Sequence, residues 1–202
     1  MDTQHIDPED PRPAGAGQPA LEEYPAREVS LGAIRVQRLL PARGRRLVGP
    51  WCFLDVVGPL AFAGAGPMNV PPHPHIGLQT VSWLVEGEVL HSDSLGYQAV
   101  VRPGGVNVMT AGRGIAHAEE TPATHSGRLH GIQLWVALPD AHRHVEPAFV
   151  HVERVPALEE RGGVVQIFAG AYGGVTSPAP CFSELVGMDA QVRAGETLTL
   201  PL

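Results

Sequence analysis

The sequence has little cysteine, little aromatic content and no excess of positive charge. Its two cysteines, Cys52 and Cys181, lie far apart, so they form neither a CxxC pair nor a disulfide framework and indicate reduced thiols in a cytoplasmic protein. The net charge of -7 repels phosphate backbones and anionic lipids, which argues against direct nucleic-acid binding. No stretch approaches about 18 consecutive apolar residues, and the N-terminus has acids where a secretory signal needs bases. Neither secretion nor membrane spanning is predicted.

The residues that are abundant predict an all-β protein. Glycine occurs 24 times and proline 20 times, which implies many turns and favours short strands over long helices. Hydrophobic residues make up 44% of the 202 residues, enough to build a core. From Arg27 onward, short apolar runs recur at about ten-residue spacing and are separated by Gly and Pro, as is typical of a sandwich or barrel.

The pattern divides the chain into three parts. Residues 1–25 combine Pro, Gly, Ala and acids without periodicity, so we expect a disordered tail. Residues 26–148 hold most of the predicted strands and form the expected first domain. Residues 149–202 are predicted to be a linker and the start of a second β unit.

Several local predictions follow from the same pattern. Residues 78–89 read as a hairpin with its turn at Glu86-Gly87-Glu88, and residues 58–67 read as a loop. Residues 43–46 (RGRR) predict a solvated turn, and residues 140–146 a single helical turn. Further strands are expected at residues 129–138 and 164–169, and two short strands at residues 185–200, around Ala194-Gly195.

Two short pairs of polar residues stand out, His73/His75 and His117/Glu119. In a strand, residues i and i+2 point to the same face, so each pair can direct both side chains at one point. Three imidazoles and a carboxylate without a thiolate suit one divalent first-row metal, Fe(II) first and then Mn, Ni, Cu or Zn. Octahedral coordination by four such ligands leaves two positions open, whereas a closed tetrahedral Zn site would be structural.

The chain has ten histidines, so a repeated HxH spacing carries limited weight. The pair His142/His144 lies in a polar linker and is not expected to bind metal. The residues expected at the surface or in turns are His91, His125 and His151. His130 opens an apolar strand, where a core position is expected and a role beside the metal ligands is the alternative. We expect four large side chains to form core or pocket wall: Phe53, Trp83, Met109 and Trp135.

The run VPPHPHIGLQTVSWLVEGEVLHSDSLGYQAVVRPGGVNVMTAGRGIAHAEETP resembles the pirin family of the cupin superfamily. The flanking segments RLLPARGRRLVGPWCFLD, HGIQLWVALP and EPAFVHV match as well, so the resemblance covers about residues 27–202. It implies a cupin jelly-roll β-barrel with an incomplete second cupin unit at the C-terminus. It also implies that the metal ligands are His73, His75, His117 and Glu119. General cupins carry a glutamate where this chain has Gln79, so Gln79 is expected at most beside the ligands.

The resemblance implies a metal-dependent dioxygenase acting on flavonol-like (quercetin-type) substrates. Glu119 would be the catalytic residue, either taking the substrate's hydroxyl proton or staying on the metal. The alternative function is a non-enzymatic, metal- and redox-sensing regulator that binds a partner protein, and an inactive remnant is a third. Pirins resemble two tandem barrels, so the exposed edge of the partial second unit should be covered by another chain, by rearranged packing or by the first barrel.

Overall fold

The computed structural model describes residues 22–32, 34–62 and 68–201, and within these residues all regular secondary structure is β. The all-β prediction is therefore confirmed. The tail predicted for residues 1–25 lies mostly outside the described residues; residues 22–26 form neither helix nor strand. The strands are β1 (Arg27–Leu31), β2 (Ile34–Leu40), β3 (Trp51–Ala61), β4 (Asn69–His75), β5 (Leu78–Gly87), β6 (Val89–Asp93), β7 (Gln98–Val101), β8 (Val106–Thr110), β9 (Ile115–Glu120), β10 (Arg128–Ala137), β11 (Ala148–Val152), β12 (Ala157–Glu160), β13 (Gly163–Tyr172), β14 (Val175–Thr176) and β15 (Val186–Val192).

Two antiparallel sheets face each other and enclose a pocket. The larger sheet has seven strands in the order β1-β2-β3-β10-β5-β8-β11, and the smaller has four in the order β4-β9-β6-β7. Side chains from β2, β3, β5 and β10 line one side of the pocket, and side chains from β4, β6 and β9 line the other. The arrangement is the predicted jelly-roll barrel of the cupin type.

The hairpin predicted for residues 78–89 is wrong, because its two strands belong to different sheets. β5 pairs with β10 and β8, whereas β6 pairs with β7 and β9. The chain crosses between sheets at Gly87, which has φ +91°, and a Cβ there would lie 2.1 Å from the carbonyl oxygen of Arg128. Only glycine fits this corner, so the EGE sequence marks a change of sheet and not a tight turn.

The C-terminal strands form a separate four-stranded sheet in which β13 pairs with β12, β14 and β15. This sheet packs on the outer face of the larger sheet: Trp83 of β5 stacks on Phe168 of β13 with ring centroids 5.1 Å apart. The indole Nε1–H of Trp83 also donates to Asp189 Oδ2 at 3.2 Å. Of the three expected ways to cover the apolar surface of the C-terminal strands, the structure shows packing against the first barrel. The domain boundaries at residues 25 and 148 stay predictions.

Several local expectations need correction. β3 extends through Gly58 to Ala61, where a loop was predicted, and residues 63–67 of that loop lie outside the described residues. Residues 185–200 contain one strand, β15, and not two. Residues 140–145 form turns closed by bonds such as His142 N–H to Pro139 O, without a helix. The turn expected at residues 43–46 is confirmed by the bridge between Ala42 and Arg45.

Candidate metal centre

Three imidazoles meet where β4 and β9 pair in the smaller sheet. His73 lies directly opposite His117 in the antiparallel register, and His75 follows two residues later on the same face of β4. Their potential ligand atoms all lie within 4.8 Å of one another. The alternation of a strand therefore brings His73, His75 and His117 to one point at the wall of the pocket.

Two prolines disturb the pairing next to this cluster. The register shifts between Val70 and His73, so Pro71 and Pro72 form a bulge on β4. Proline has no N–H to donate to the ladder, which favours a bulge at this point. The carbonyl oxygen of Pro71 then lies 2.9 Å from His73 Nδ1. A carbonyl oxygen only accepts, so Nδ1–H of His73 donates to it, and Nε2 is the unprotonated nitrogen of the neutral ring.

Burial keeps the other two imidazoles in the neutral form. Burial lowers the pKa of His75 to about 4, with a smaller contribution from the charge of His73. Burial also lowers the pKa of His117 to about 3, assisted by the nearby histidines. Both rings are therefore neutral at pH 7, the state that metal binding requires. The buried Nε2 atoms of His75 and His117 have no hydrogen-bond partner, and a metal ion would satisfy such atoms.

Glu119 lines the same pocket but is not part of the three-histidine group. It is paired with Val70 across the bulge, and its Oε1 lies 3.4 Å from Ser82 Oγ of β5. Burial raises the pKa of the Glu119 carboxyl, while the charge of His73 and the bond from Ser82 act in the opposite direction. Its assignment as the fourth ligand stays a prediction.

The pocket behind the histidines is largely apolar. Its volume is about 380 Å³, within the range of small-molecule sites. Phe53 and Trp135 form part of its wall and stack with ring centroids 4.0 Å apart, and Trp135 contacts His75 edge to face at 4.9 Å. Aliphatic side chains from both sheets complete the wall, among them Ile34, Val36, Met68, Leu84, Val89 and Ile132.

A few polar groups interrupt this apolar wall, and sequence reasoning missed them. Arg38 makes two hydrogen bonds of 2.8 Å to Asp55, and its guanidinium lies 4.5 Å from the ring centroid of Phe53. Ser82 lies opposite Gln133 in the register, and its Oγ is 2.8 Å from Gln133 Oε1. A serine and a glutamine inside two otherwise apolar strands were the available signal, because buried polar side chains need partners.

The other histidines for which a prediction was made from the sequence occupy different environments. His91 was expected in a turn at the surface, but it is only 4% exposed and lies on β6 next to His117. That prediction is wrong. His125 is exposed in a loop, and His151 is exposed on β11 and bonds to Asn107. His130 is half-buried on β10.

Gln79 does not line the pocket. Its amide nitrogen donates to Thr110 Oγ1 at 3.0 Å and to the carbonyl oxygen of Pro180 at 3.1 Å. It therefore ties the barrel to the C-terminal segment and has no role beside the metal ligands, which is within the limit that the sequence set for it. Trp83 and Met109 are core residues, whereas Phe53 and Trp135 form pocket wall. No helix in the described part of the chain is long and apolar enough to cross a bilayer.

Comparison with known proteins gives consistent results. A "Putative quercetin 2,3-dioxygenase PA1205" of Pseudomonas aeruginosa is 46% identical over 90% of this chain and 58% of its own length. A pirin-like protein of Caulobacter vibrioides is 43% identical over 88% of this chain and 64% of its own length. The crystal structure of a quercetin 2,3-dioxygenase from Acinetobacter baumannii superposes with a TM-score of 0.86 at 42% identity, covering 90% of this chain and 60% of that one.

The chain thus spans less than two thirds of the length of these relatives. The family model described as Pirin matches residues 33–136, which is more than half of the chain and includes the whole histidine cluster. From this match, the chain belongs to the pirin family.

Proposed function

We propose that the chain binds one divalent metal through His73, His75 and His117 and is a metal-dependent dioxygenase for flavonol-like, quercetin-type substrates. The observation that carries the proposal is the convergence of three imidazoles, two of them with buried and unpartnered Nε2 atoms, on an apolar pocket of about 380 Å³. The names of two similar proteins support the choice of substrate: one is called a putative quercetin 2,3-dioxygenase and the other a quercetin 2,3-dioxygenase.

The donor set fits a metal of borderline hardness. Neutral imidazoles without thiolates suit a divalent first-row metal, among which we place Fe(II) first, followed by Mn, Ni, Cu and Zn. Three histidines leave open positions in an octahedral site, and open positions remain if Glu119 stays on the metal as a fourth ligand instead of taking the substrate's proton. A bound metal would supply Lewis-acid activation of the substrate's oxygens and a site for dioxygen.

The side chains that line the pocket would bind a flat aromatic substrate. The stacked rings of Phe53 and Trp135 present a large apolar surface next to His75. The side-chain nitrogen Nε2 of Gln133 is buried without a partner, although Gln133 lines the pocket. That N–H group would donate to a carbonyl oxygen of the substrate and so orient the ring. Aliphatic side chains from both sheets exclude water from the same space.

Glu119 is the proposed proton acceptor for the substrate's 3-hydroxyl. Glu119 is 9% exposed, and burial raises the pKa of its carboxyl, which makes the ionised form a stronger base. The hydroxyl of Ser82 lies between Glu119 and Gln133, at 3.4 Å and 2.8 Å respectively. Ser82 therefore connects Glu119, the proposed proton acceptor, with Gln133, whose N–H is the proposed donor to the substrate's carbonyl oxygen. All three residues lie on the wall of the pocket.

The test is quercetin loss by protein of measured metal content. Protein loaded with Fe(II) under anaerobic conditions should consume quercetin and dioxygen together once air is admitted. H73A/H117A should lose both metal and turnover, whereas H142A/H144A, which removes an HxH pair outside the pocket, should keep both. No quercetin loss by wild-type protein with one metal per chain would refute the enzymatic proposal and favour the regulator. Equal metal content in the two double variants would refute the site.

A further inference from the structure

A chain of buried polar groups lies next to His117, on the same face of the smaller sheet but outside the set of residues that line the pocket. β6 runs beside β9, with Asp93 opposite His117 and His91 opposite Glu119 in the register. His91 Nδ1 lies 3.4 Å from His117 Nδ1, and His91 Nε2 lies 3.0 Å from Asp93 Oδ2. His91 and His117 are 4% and 2% exposed, and the Asp93 side chain is fully buried.

The surroundings hold this arrangement in one orientation. Asp93 Oδ1 accepts the backbone N–H groups of Leu95 and Tyr97 at 2.9 and 3.1 Å, which fixes the carboxylate. The ring of Phe149 stacks on the imidazole of His91 with centroids 4.1 Å apart and planes inclined by 7°. The imidazole of His91 therefore cannot rotate without losing both its stacking and its carboxylate partner.

The order of the partners dictates where each proton lies. A carboxylate only accepts hydrogen bonds, so Nε2–H of His91 donates to Asp93 Oδ2. A neutral imidazole has one N–H, which leaves Nδ1 of His91 as the acceptor facing His117. Nδ1–H of His117 must then donate to it. The lone pair of His117 is consequently on Nε2, the buried atom that has no hydrogen-bond partner.

We propose that Asp93 and His91 are positioning residues, which hold His117 in the Nδ1–H tautomer and so present its unprotonated Nε2 to the metal. The inference rests on the proposed metal centre but concerns a property of the metal-free chain. His73 meets the same requirement more simply, through the carbonyl oxygen of Pro71. Because His117 is buried in the sheet and its Nδ1 meets another imidazole, its proton position depends on the carboxylate one residue further away.

The substitution Asp93→Asn directly tests this order of hydrogen bonds from His117 through His91 to Asp93. The amide oxygen can keep the bonds from Leu95 and Tyr97, but the amide nitrogen now faces His91 Nε2 as a donor. His91 must then accept at Nε2 and donate from Nδ1, which forces the proton of His117 onto Nε2. The geometry is preserved while the tautomer is inverted, and metal binding at Nε2 has to displace that proton. We expect D93N to bind Fe(II) or Zn(II) about 10- to 100-fold more weakly.

The measurement is a long-range ¹H–¹⁵N correlation spectrum of metal-free, ¹⁵N-histidine-labelled protein, which distinguishes the two tautomers of each ring. His117 should be the Nδ1–H form in wild type and the Nε2–H form in D93N. Asp189→Asn is the matched control: it removes a carboxylate that accepts a bond from Trp83 and no histidine bond, so it should leave tautomer and affinity unchanged.

The outcomes separate this inference from the proposed function. An Nε2–H tautomer of His117 in wild type overturns it, even if D93N fails to fold, and so does unchanged metal affinity in a folded D93N. A correct wild-type tautomer, together with an inverted tautomer and weaker metal binding in D93N, supports it whether or not the protein oxidises quercetin. Wild-type protein that shows the Nδ1–H form but binds no metal would refute the metal centre and leave the hydrogen-bond order intact.

Discussion

The stability of the metal-free protein should fall in acid because its clustered histidines resist protonation. Burial lowers the pKa of His75 from an unfolded value of 6.5 to about 4. Between these values the unfolded chain takes up a proton that the folded chain does not, so unfolding becomes more favourable as the pH falls. The contribution of His75 is fully present above pH 6.5 and is lost progressively toward pH 4.

The magnitude follows from the size of the shift. One pH unit is worth about 1.4 kcal/mol for each proton taken up. Lowering the pH from 7 to 5 should therefore remove about 1–2 kcal/mol of stability through His75 alone, because solvent screening of its partly exposed ring reduces the full value of the shift. His117, with a pKa of about 3, adds a similar loss. Together these are a large part of the roughly 5–15 kcal/mol by which a domain is stable.

The variant His75→Gln isolates the effect. Urea unfolding of wild type and H75Q, followed by tryptophan fluorescence in the presence of a chelator, should be measured at pH 7 and at pH 5. Wild type should lose about 1–2 kcal/mol more than H75Q over this interval. Glu119, whose pKa is raised, acts with the opposite sign, but it is common to both proteins.

The control is His125→Gln, which removes an imidazole that is exposed in a loop and should retain the pH dependence of wild type. Equal losses of stability in wild type and H75Q would refute the reasoning. Such a result would mean that the His75 imidazole is as accessible to protons when folded as when unfolded, so it would not be held neutral by burial.

Three further predictions concern the site and its support. Glu119→Gln should lower kcat by about 10²- to 10⁴-fold with metal content unchanged if Glu119 is the base, whereas loss of metal, measured by elemental analysis, would make it a ligand. Arg38→Met leaves the buried carboxylate of Asp55 without its cation and should cost about 3–5 kcal/mol in urea unfolding, a loss that R38M/D55L should largely recover. Phe168→Ala should cost about 3–5 kcal/mol, because Phe168 is 3% exposed where the C-terminal sheet meets the barrel; a loss below 1 kcal/mol would contradict that packing.

The strands and the spacing of the histidine pairs could be predicted because both depend on a local rule. Alternation places His73 and His75 on one face of β4, and His117 and Glu119 on one face of β9, whatever the rest of the chain does. The register between the two strands is not local. The bulge at Pro71 and Pro72 shifts the register so that Val70 lies opposite Glu119, and this shift could not be predicted from the sequence pattern.

The predictions of a hairpin at residues 78–89 and of a surface position for His91 were wrong for related reasons. Strands adjacent in sequence usually pair, but a glycine at position 87 allows the chain to pass to the opposite sheet, where β6 meets β9. This crossing brings His91 and Asp93 against His117. A sequence HSD between a strand and a turn resembles a solvated turn, and only the pairing of β6 with β9 buries it.

The sequence by itself determined the all-β class, the family and the pairs of residues that share a strand face, because periodicity and motif spacing act over a few residues. Tertiary structure alone decided which strands pair, that the C-terminal sheet packs on Trp83, and which groups stand behind each histidine. Those contacts join residues far apart in sequence, such as Ser82 with Gln133 and Gln79 with Pro180. The proton positions at the candidate metal centre follow from such contacts, since each hydrogen bond depends on a partner that the fold supplies.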